Sequence, residues 1–295
     1  MNYTKWLEKY GREICGKTVA VSGTTGGLGG ELCRALAQLG ANLILMDRNA
    51  ERSKQVQEGL ASQFPNISVE RIPLNLSSLQ SVKSAAAELS KRPVDVLVHN
   101  AGAYHLPRKK GDSGYDQVYQ INFLAPYYFT RALLPRLKER GGRVVLVSSI
   151  AHRMAKIKQD DCDYSRCKRD MKVYGNAKRW CLTAHAKLLD GSVSLSVVHP
   201  GIAATNITSG YPKWVQRLVH YPMKWLFLSP KKACLNVVRG VAEETGAHTW
   251  VGPRVFGIWG MPKKKRLSTC RKEGLEFVFK TAEEACAQWE KEVKV

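Results

Sequence analysis

The stretch TVAVSGTTGGLGG, residues 18–30, joins a short apolar run to a glycine-rich turn. The residues after it, from Glu31 to Leu39, place their apolar side chains on one helical face. Glycine has no Cβ, so the turn lets a pyrophosphate approach the backbone, and the following helix N-terminus points free N–H groups at it. The alternative is a glycine-rich turn that binds nothing, but the flanking strand and helix argue against it. The stretch predicts a dinucleotide site that uses Ser22, Gly23, Thr25, Gly27, Leu28 and Gly29.

Further apolar runs repeat this pattern along the chain. Short β-branched or aliphatic runs alternate with helical patterns, which is typical of βαβ units and of a parallel sheet covered on both faces. Seven runs predict strands: 18–22, 42–46, 68–72, 94–99, 143–147, 193–198 and 249–251. No linker rich in proline or serine divides the 295 residues. The sequence therefore predicts an α/β fold with a doubly wound parallel sheet of about seven strands in a single domain.

The charge of the chain is strongly positive. Lysine and arginine number 46 against 25 acidic residues, which gives a formal net charge of +21. Such an excess can serve nucleic acid, an anionic surface or anionic ligands. Its densest cluster, residues 263–266, has no interleaved aromatic residues that would stack on bases. We therefore expect a solvated, mobile charged face at this cluster and no nucleic-acid partner.

The cysteines indicate a reduced setting. Eight cysteines are scattered without a C-x-x-C motif or a matching histidine spacing, which argues against a zinc site and a disulfide framework. We therefore expect no metal and a cytoplasmic location. The first residues lack the apolar run of a signal peptide, and no stretch has about 18 uncharged apolar residues. We expect a soluble protein without a membrane span.

An acidic residue closes the second predicted strand. The carboxylate of Asp47 can accept hydrogen bonds from both adenosine ribose hydroxyls and would repel a 2′-phosphate, so it favours NAD. Arg48 follows immediately, and its guanidinium could instead hold the 2′-phosphate of NADP. A third interpretation is that the two residues belong to a solvated turn. The sequence favours NAD and leaves NADP open.

Four further motifs follow in order: Asn100-Ala101-Gly102, Asn122, the pair Ser148-Ser149, and Tyr174-x-x-x-Lys178. Each is weak alone, because short patterns arise by chance. In this order, across roughly Lys17 to Gly260, the chain resembles a short-chain dehydrogenase/reductase. The resemblance implies a Rossmann-like fold, a homodimer or homotetramer, and catalysis by one asparagine, one serine, one tyrosine and one lysine.

The resemblance also implies roles for single residues. Asn122 matches the helix asparagine whose backbone carbonyl holds a water that connects the lysine to solvent, although a structural side-chain bond is the alternative for this residue. Ser149 matches the serine that hydrogen-bonds the substrate oxygen. Asn75 stands near adenine, where its amide oxygen can accept a hydrogen bond. The other implied cofactor contacts are Leu76, Asn100, Ala101, Gly102, Pro200, Gly201, Ile202 and Thr205. Of these, Ile202 and Thr205 would meet the nicotinamide carboxamide.

Two Tyr-x-x-x-Lys pairs compete for the catalytic position, Tyr164 with Lys168 and Tyr174 with Lys178. In both, the spacing puts the two side chains on one helical face. An apolar stripe able to pack on the sheet follows Lys178, whereas charged residues follow Lys168. The interval from Ser149 to Tyr174 is longer than in many members of the family, so Tyr164 remains the alternative catalytic tyrosine. We favour Tyr174.

The chemistry explains these residue types. Reducing a ketone requires a proton on the oxygen as hydride arrives at carbon, and a tyrosine at its ordinary pKa of about 10 is a reluctant acid. We expect the ammonium of Lys178 to lower the pKa of Tyr174 and, as in the family, to bond the nicotinamide ribose. Ser149 would stabilise the developing alkoxide.

The segment between Tyr211 and Phe227 is aromatic and lies where the family places its substrate lid, at about residues 206–230. Such a lid would exclude water from a bulky apolar substrate, although core or subunit contacts are the alternative. We expect a hydroxysteroid as the substrate. A retinoid or xenobiotic carbonyl reduced with NADP(H) is the second possibility, and a non-catalytic, dinucleotide-sensing regulator is the third.

The resemblance divides the chain into three parts. Residues 1–16 form an N-terminal extension, residues 17–260 a Rossmann-like catalytic domain, and residues 261–295 a basic, helical C-terminal extension. Retinol-handling members of the family usually carry a membrane anchor at the N-terminus, and here the short amphipathic segment from Tyr3 to Ile14 stands in its place. Our hypothesis is that this segment covers a neighbouring subunit.

Overall fold

A computed structural model describes residues 3–189, 191–201, 228–267 and 274–292. Across these residues the strands are β1 (Thr18–Ser22), β2 (Asn42–Asp47), β3 (Val69–Pro73), β4 (Val96–His99), β5 (Arg143–Val147), β6 (Ser194–Val198), β7 (Thr249–Val255) and β8 (Trp259–Arg266). They form one sheet in the order β3-β2-β1-β4-β5-β6-β7-β8. Strands β1 to β7 run parallel, and β8 is antiparallel to β7.

Helices cover both faces of the sheet. They are α1 (Tyr3–Gly11), α2 (Gly27–Gln38), α3 (Ala50–Gln63), α4 (Leu79–Leu89), α5 (Ala125–Glu139), α6 (Asp170–Leu189), α7 (Pro230–Ala242) and α8 (Leu275–Glu292). A helical turn, Gln117–Tyr119, and a π-helical segment, Gln120–Leu124, lead into α5, and a 3₁₀-helix, Ile150–Met154, follows β5.

The core has two halves, one on each face of the sheet. One half contains Leu97, Phe123 and Trp180 and is closed by α4, α5, α6 and α8. The other contains Leu36 and Val238 and is closed by α1, α2, α3 and α7. Since both faces of the inner parallel strands are buried, their sequences are almost continuously apolar rather than alternating, and this is why apolar runs located them. The edge strand β3 is the exception, with only Ile72 buried.

The strand order reverses direction between β1 and β4, since β2 lies on one side of β1 and β4 on the other. In open parallel sheets, ligands bind in the crevice that this reversal leaves at the carboxyl ends of the strands. The glycine-rich turn after β1 and the motif Asn100-Ala101-Gly102 after β4 both lie at that edge. The fold class is therefore confirmed, with all seven predicted strands present and β7 extended to Val255.

The eighth strand was not predicted. Residues 263–266 form the expected solvated charged face, with Lys263, Lys264 and Arg266 exposed. The expectation that this face is mobile is wrong, because these residues form the second half of β8, which pairs with β7 along its length and carries Lys263 opposite Gly252 and Lys265 opposite Trp250. The sheet thus continues past residue 260, the limit expected for the catalytic domain. An edge strand rich in lysine is protected from pairing with another chain, which explains why a charged run can be a strand here.

Helix α1 packs on its own chain. Trp6, Leu7 and Tyr10 are buried in the same half of the core as α2 and α7, and Ile14 beyond the helix is fully buried too. The Arg239 guanidinium of α7 lies 5.8 Å from the Tyr10 ring centroid. The hypothesis that this segment covers a neighbouring subunit is therefore wrong for its apolar face, because that face is already covered.

Helix α8 closes the opposite half of the core. Its Glu283 accepts hydrogen bonds from the Tyr127 hydroxyl (2.5 Å) and from Arg131 (3.0 Å), both on α5. Residues 275–292 of the predicted C-terminal extension form this helix, and its side chains belong to the core. Within the described ranges, none of the helices is both long and apolar enough to cross a membrane.

Candidate active site

The glycine-rich turn places bare backbone at the N-terminus of α2. Gly23 has a φ of +75°, and a Cβ at that position would lie 2.9 Å from the Cα of Ala101. A Cβ on Gly29 would lie 2.1 Å from the Gly23 carbonyl oxygen. The residue that precedes α2, Gly26, caps the helix with no side chain. The helix N-terminus is therefore open to an anion from outside the turn.

Other members of the predicted turn site have separate tasks. Gly27 begins α2 and its Cβ position is only 3.8 Å from Pro230 of α7, an ordinary contact. Leu28 is partly buried and packs against Leu228 and Ala233. The turn is therefore held against α7 by an apolar contact.

The motif after β4 is bonded directly to the turn. The Asn100 side-chain amide donates to the carbonyl oxygens of Ser22 and Gly23, each at 3.0 Å. The Ser22 hydroxyl accepts from the backbone N–H groups of Asn100 and Ala101, each at 3.1 Å. The amide oxygen of Asn100 is buried without a hydrogen-bond partner in the described structure. A buried acceptor of this kind fits a donor supplied by a ligand.

Asp47 has different partners from those expected. It is 5% exposed, and its carboxylate accepts hydrogen bonds from the Thr24 N–H (2.7 Å), the Thr25 N–H (3.1 Å) and the Ser53 hydroxyl (3.0 Å). The Thr24 hydroxyl donates a fourth bond. Four donors match the four lone-pair sites of a carboxylate. Asp47 therefore fixes the glycine-rich turn, whereas Arg48 beside it is exposed at the end of β2.

Two residues after β3 lie on the predicted adenine side. Asn75 is half-buried, and its amide oxygen accepts from the Ser77 N–H at 3.1 Å. Leu76 is buried, and its carbonyl accepts from Gln120 at 3.3 Å. One lone pair of the Asn75 amide oxygen is thus used within the loop, which leaves one acceptor position for a ligand.

Tyr174 and Lys178 lie one turn apart on α6, beside the end of β5. The Lys178 ammonium nitrogen is 5.6 Å from the Tyr174 ring centroid and donates to the Val147 carbonyl at 3.0 Å. The Tyr174 hydroxyl is hydrogen-bonded to Ser149, and this bond lowers the pKa of the phenol. The structure therefore brings together three of the four residues to which the resemblance assigned catalysis.

Burial dominates the pKa values in this group. It raises the pKa of Tyr174 above 10, more than the bond from Ser149 lowers it, and the neighbouring Tyr104 raises it further. Burial also lowers the pKa of Lys178. The expectation that Lys178 brings the pKa of Tyr174 below its ordinary value is therefore not met. In the structure this pKa is raised, because desolvation of the phenolate outweighs the effects that lower it.

The second Tyr-x-x-x-Lys pair is arranged differently. Tyr164 lies outside any helix with a φ of +56°, and its buried hydroxyl donates to the Lys156 carbonyl (2.6 Å) and accepts from the Lys156 N–H (3.0 Å). Lys168 is exposed. The Tyr164 hydroxyl thus pins a loop, and its pair lacks the helical geometry that the spacing suggested.

Asn122 lies in the π-helical segment, a type of distortion that is frequent at functional sites. Its side-chain amide donates to the carbonyls of Ala103 (2.7 Å) and Val118 (2.9 Å). A Cβ on Gly102 would lie 2.7 Å from the Asn122 amide oxygen and 3.4 Å from the Lys178 ammonium nitrogen. Gly102 therefore separates Asn122 from Lys178, and the side-chain bonds of Asn122 hold this arrangement.

The sequence did not single out two residues that surround this group. His152 lies in the 3₁₀-helix after Ser149, and its Nδ1 donates to the Ser149 carbonyl at 2.5 Å. Burial lowers the pKa of His152 to about 4, so the ring is neutral near pH 7. The Tyr104 ring packs edge-on against Tyr174, with centroids 5.5 Å apart. In the sequence, only nearness to the predicted motifs marks these two residues. His152 lies three residues after Ser149, and Tyr104 lies two residues after Gly102.

The segment after β6 is described only in part. Pro200 follows β6, and Gly201 has a φ of +87° with its Cβ position 2.9 Å from Pro253 and 3.1 Å from the Ile258 carbonyl oxygen. The predicted contacts Ile202 and Thr205 lie outside the described residues, as does the predicted lid up to residue 227. Of the lid, Leu228 is described, and it is buried against Ala233.

Among the described residues, no three histidine, cysteine, aspartate or glutamate side chains converge so that they could hold a metal ion. The cysteines described there are all free thiols. The groups that meet at the candidate site are a phenol, a hydroxyl, an ammonium and backbone amides, which suit acid–base chemistry beside a bound dinucleotide.

Comparison with known proteins agrees with this geometry. The family model for short chain dehydrogenases matches residues 17–216. Polyprenol dehydrogenase of Homo sapiens is 30% identical over 258 residues, which cover 83% of this chain and 75% of that protein. Retinol dehydrogenase 13 of Homo sapiens is 30% identical over 244 residues, which cover 78% and 74%. A crystal structure of an uncharacterized protein from Mycobacterium Paratuberculosis superposes with a TM-score of 0.73 at 25% identity, covering 92% of this chain and 94% of that one.

Proposed function

Because this chain belongs to the short-chain dehydrogenase family, we propose that it interconverts an alcohol and a carbonyl on a bulky apolar substrate with NAD(P)(H). The proposal rests on one observation. Tyr174, Lys178 and Ser149 lie close together at the carboxyl ends of the strands, where the glycine-rich turn also lies.

The residues at the sheet edge fit a nicotinamide dinucleotide. The close approach of Gly29 to the Gly23 carbonyl leaves no room for a side chain, so the turn offers only backbone to a diphosphate. The N-terminus of α2 is uncapped by side chains, and the Asn100 amide oxygen lacks a partner in the described structure. These features support the proposed cofactor site, in which Lys178 would reach the nicotinamide ribose.

A nicotinamide ring bound there supplies the hydride for reduction or accepts it in oxidation. Tyr174 donates its phenolic proton to the carbonyl oxygen during reduction and takes it back from the alcohol during oxidation. Ser149, already bonded to the phenol, holds the same oxygen and stabilises negative charge on it. The buried Lys178 ammonium offsets part of the cost of a buried phenolate. The net reaction is alcohol plus NAD(P)⁺ to carbonyl plus NAD(P)H and a proton.

The cofactor preference depends on two neighbouring residues. The four donors on Asp47 leave its carboxylate committed to the turn, which weakens the argument that it selects NAD through the ribose hydroxyls. The exposed guanidinium of Arg48 is free of that constraint and can bind a 2′-phosphate by charge-assisted hydrogen bonds. We therefore propose that NADP(H) is accepted at least as well as NAD(H), a revision of the preference drawn from the sequence.

The substrate we propose is a long apolar isoprenoid alcohol or its aldehyde or ketone. The relatives described above are named for polyprenol and retinol, neither of which is a steroid. This favours the retinoid-like alternative over the hydroxysteroid expected from the sequence. The structure keeps the phenol of Tyr174, the hydroxyl of Ser149 and the ammonium of Lys178 close together. A non-catalytic regulator would not need these three groups, so the regulator alternative is disfavoured.

The test is nicotinamide absorbance during turnover of a substrate panel with NAD⁺ and NADP⁺ in parallel. The panel contains a polyprenol, retinol, a hydroxysteroid and a short, water-soluble secondary alcohol. We expect turnover of the isoprenoid alcohols with NADP⁺ and weaker turnover of the steroid. Nucleotide binding without turnover of any alcohol, or of any carbonyl in reverse, would instead establish the regulator.

A further inference from the structure

We propose that the hairpin formed by β7 and β8 docks on an anionic lipid surface and holds the candidate active site beside it. This inference deepens the proposed function, because an isoprenoid substrate resides in a bilayer. Six large hydrophobic side chains are exposed in the described residues, and four of them lie within residues 255–261 of this hairpin. Phe256 at the tip is 84% exposed, and Val255, Trp259 and Met261 flank it at 44%, 39% and 36%.

Packing within the chain does not explain why a phenylalanine, Phe256, occupies the tip of the hairpin. Phe256 adopts a φ of +49°, a conformation that bulky residues rarely take, and yet its ring contributes almost nothing to the core. Trp, Phe and Leu side chains form the apolar faces that peripheral proteins bury at the boundary between headgroups and acyl chains. The tip is therefore suited to insertion in a membrane interface rather than to a role in the core.

The charge of the hairpin complements an anionic membrane. Residues 249–266 include Arg254, Lys263, Lys264, Lys265 and Arg266 and no acidic residue. Lys264 is paired with Glu243 of α7, but Arg254, Lys263 and Arg266 are exposed. Clusters of basic residues beside an apolar anchor are the feature that draws peripheral proteins to anionic lipids.

A neighbouring segment extends the same surface. The Arg153 guanidinium lies 5.6 Å from the Trp250 ring centroid, and the Lys265 ammonium lies 5.5 Å from it. Met154, next to Arg153, is 56% exposed, and Lys156 and Lys158 beyond it are exposed too. Apolar and basic side chains thus alternate on the 3₁₀-helix side of the hairpin, as they do on the hairpin itself.

The surface adjoins the candidate active site. A Cβ on Gly257, in the hairpin turn, would lie 3.6 Å from Ile150, the residue after Ser149, and 3.9 Å from the His199 ring. A protein docked through Phe256 would therefore hold the Ser149 region close to the lipid.

A second copy of the chain fits this surface poorly. Pairing β8 with the same strand of another copy would bring two runs of residues 263–266 together, and each run carries four positive charges. Like charges on facing strands destabilise the pairing, and Pro262 lacks a donor for it. We therefore commit to the anionic lipid surface.

The experiment is co-sedimentation of the full chain with vesicles of phosphatidylcholine alone and with about 30% phosphatidylglycerol added. We expect at least about tenfold stronger partitioning to the anionic vesicles, reversed by about 0.5 M NaCl. Phe256→Ser and the double variant Arg254→Gln/Lys263→Gln should each lower that partitioning about fivefold or more. Met171→Ser, which removes an exposed methionine of α6, and Lys138→Gln, which removes an exposed charge near the C-terminus of α5, are the matched controls and should change nothing.

Turnover of the short, water-soluble alcohol without vesicles separates this inference from the proposed function. Phe256→Ser should keep that turnover, because the residue touches neither Tyr174 nor Ser149 in the described contacts. Equal partitioning of the wild type to both kinds of vesicle would overturn the inference. So would a Phe256→Ser variant that binds vesicles normally but has a smaller oligomeric size, since the face would then be an interface between copies.

Discussion

The Lys178 ammonium nitrogen lies 5.6 Å from the centroid of the Tyr174 ring, one helical turn along α6. The same nitrogen donates to the carbonyl of Val147, two residues before Ser149. This hydrogen bond connects α6 to the carboxyl end of β5, so the tyrosine and the serine are positioned by regular elements of the fold. A site built in this way keeps its geometry without help from a mobile loop.

Removing the ammonium should change the pH dependence of oxidation. In Lys178→Met the buried phenolate loses its positive neighbour, so the pKa of Tyr174 should rise further. We expect kcat to fall about 100-fold and the rising limb of the oxidation pH profile, which reports deprotonation of Tyr174, to move to higher pH. The matched control is Lys187→Met on the same helix, whose ammonium pairs with Glu276 on the surface. An unchanged pH profile with reduced kcat would assign Lys178 a structural role only.

The glycine-rich turn offers a steric test of the cofactor site. Gly29→Ala places a Cβ 2.1 Å from a backbone oxygen, which only a shift of the turn can relieve. Affinity for NADP⁺ should fall about 100-fold, or about 2.7 kcal/mol, in a fluorescence titration. Gly59→Ala is the control, because that position in α3 has open space around it and should gain stability. Normal nucleotide affinity in Gly29→Ala would place the cofactor elsewhere.

Asp47 and Arg48 should respond differently to substitution. Asp47→Asn removes acceptor capacity from three donors in the turn and from the Ser53 hydroxyl of α3, so affinity for NAD⁺ and NADP⁺ should fall together. Arg48→Ser removes an exposed charge and should weaken NADP⁺ about tenfold or more while NAD⁺ is unaffected. Titration of both variants with both nucleotides measures this. Selective loss of NAD⁺ binding in Asp47→Asn would restore the ribose role of that carboxylate.

Buried histidines should make the fold sensitive to acid. Burial lowers the pKa of His152, His185 and His199 to about 4, whereas an unfolded histidine has a pKa of about 6.5. Between these values the unfolded chain binds more protons, so the free energy of unfolding should fall as pH decreases from about 6.5 to 4, by up to roughly 3 kcal/mol per histidine. Urea unfolding at a series of pH values measures this. A free energy that stays constant through the window would contradict the burial of these rings.

Much of the fold could be predicted from the sequence, because a strand buried on both faces of a parallel sheet has a continuous apolar run. β1 and β5 carry continuous apolar runs, and their predicted limits match the structure. The glycine-rich turn could also be predicted, because a side chain at Gly29 would collide with the Gly23 carbonyl oxygen and only glycine fits there. The choice between two Tyr-x-x-x-Lys pairs rested on the apolar stripe after Lys178, and α6 includes that stripe.

Other features depend on contacts that local pattern does not encode. Strand β8 is charged because it lies at an edge, and edge position is a property of the whole sheet. The partners of Asp47 come from Thr24 and Ser53, which the fold alone brings together. The partner of Tyr164 is the backbone of Lys156, and no residue-type motif marks such a bond. Desolvation of Tyr174 is likewise a consequence of packing, so its pKa could not be read from the nearby lysine.

We propose that Tyr174 transfers the proton, and the two Tyr-x-x-x-Lys pairs allow a direct comparison. Tyr174→Phe and Tyr164→Phe each remove one hydroxyl from a Tyr-x-x-x-Lys pair, and both should bind NADP⁺ normally. Turnover of an isoprenoid alcohol by each variant, followed by nicotinamide absorbance, is the measurement. We predict that Tyr174→Phe loses at least about 100-fold in kcat, while Tyr164→Phe keeps its kcat and loses roughly 1–3 kcal/mol of stability with its bonds to Lys156. Full activity in Tyr174→Phe, with the loss in Tyr164→Phe instead, would contradict the account.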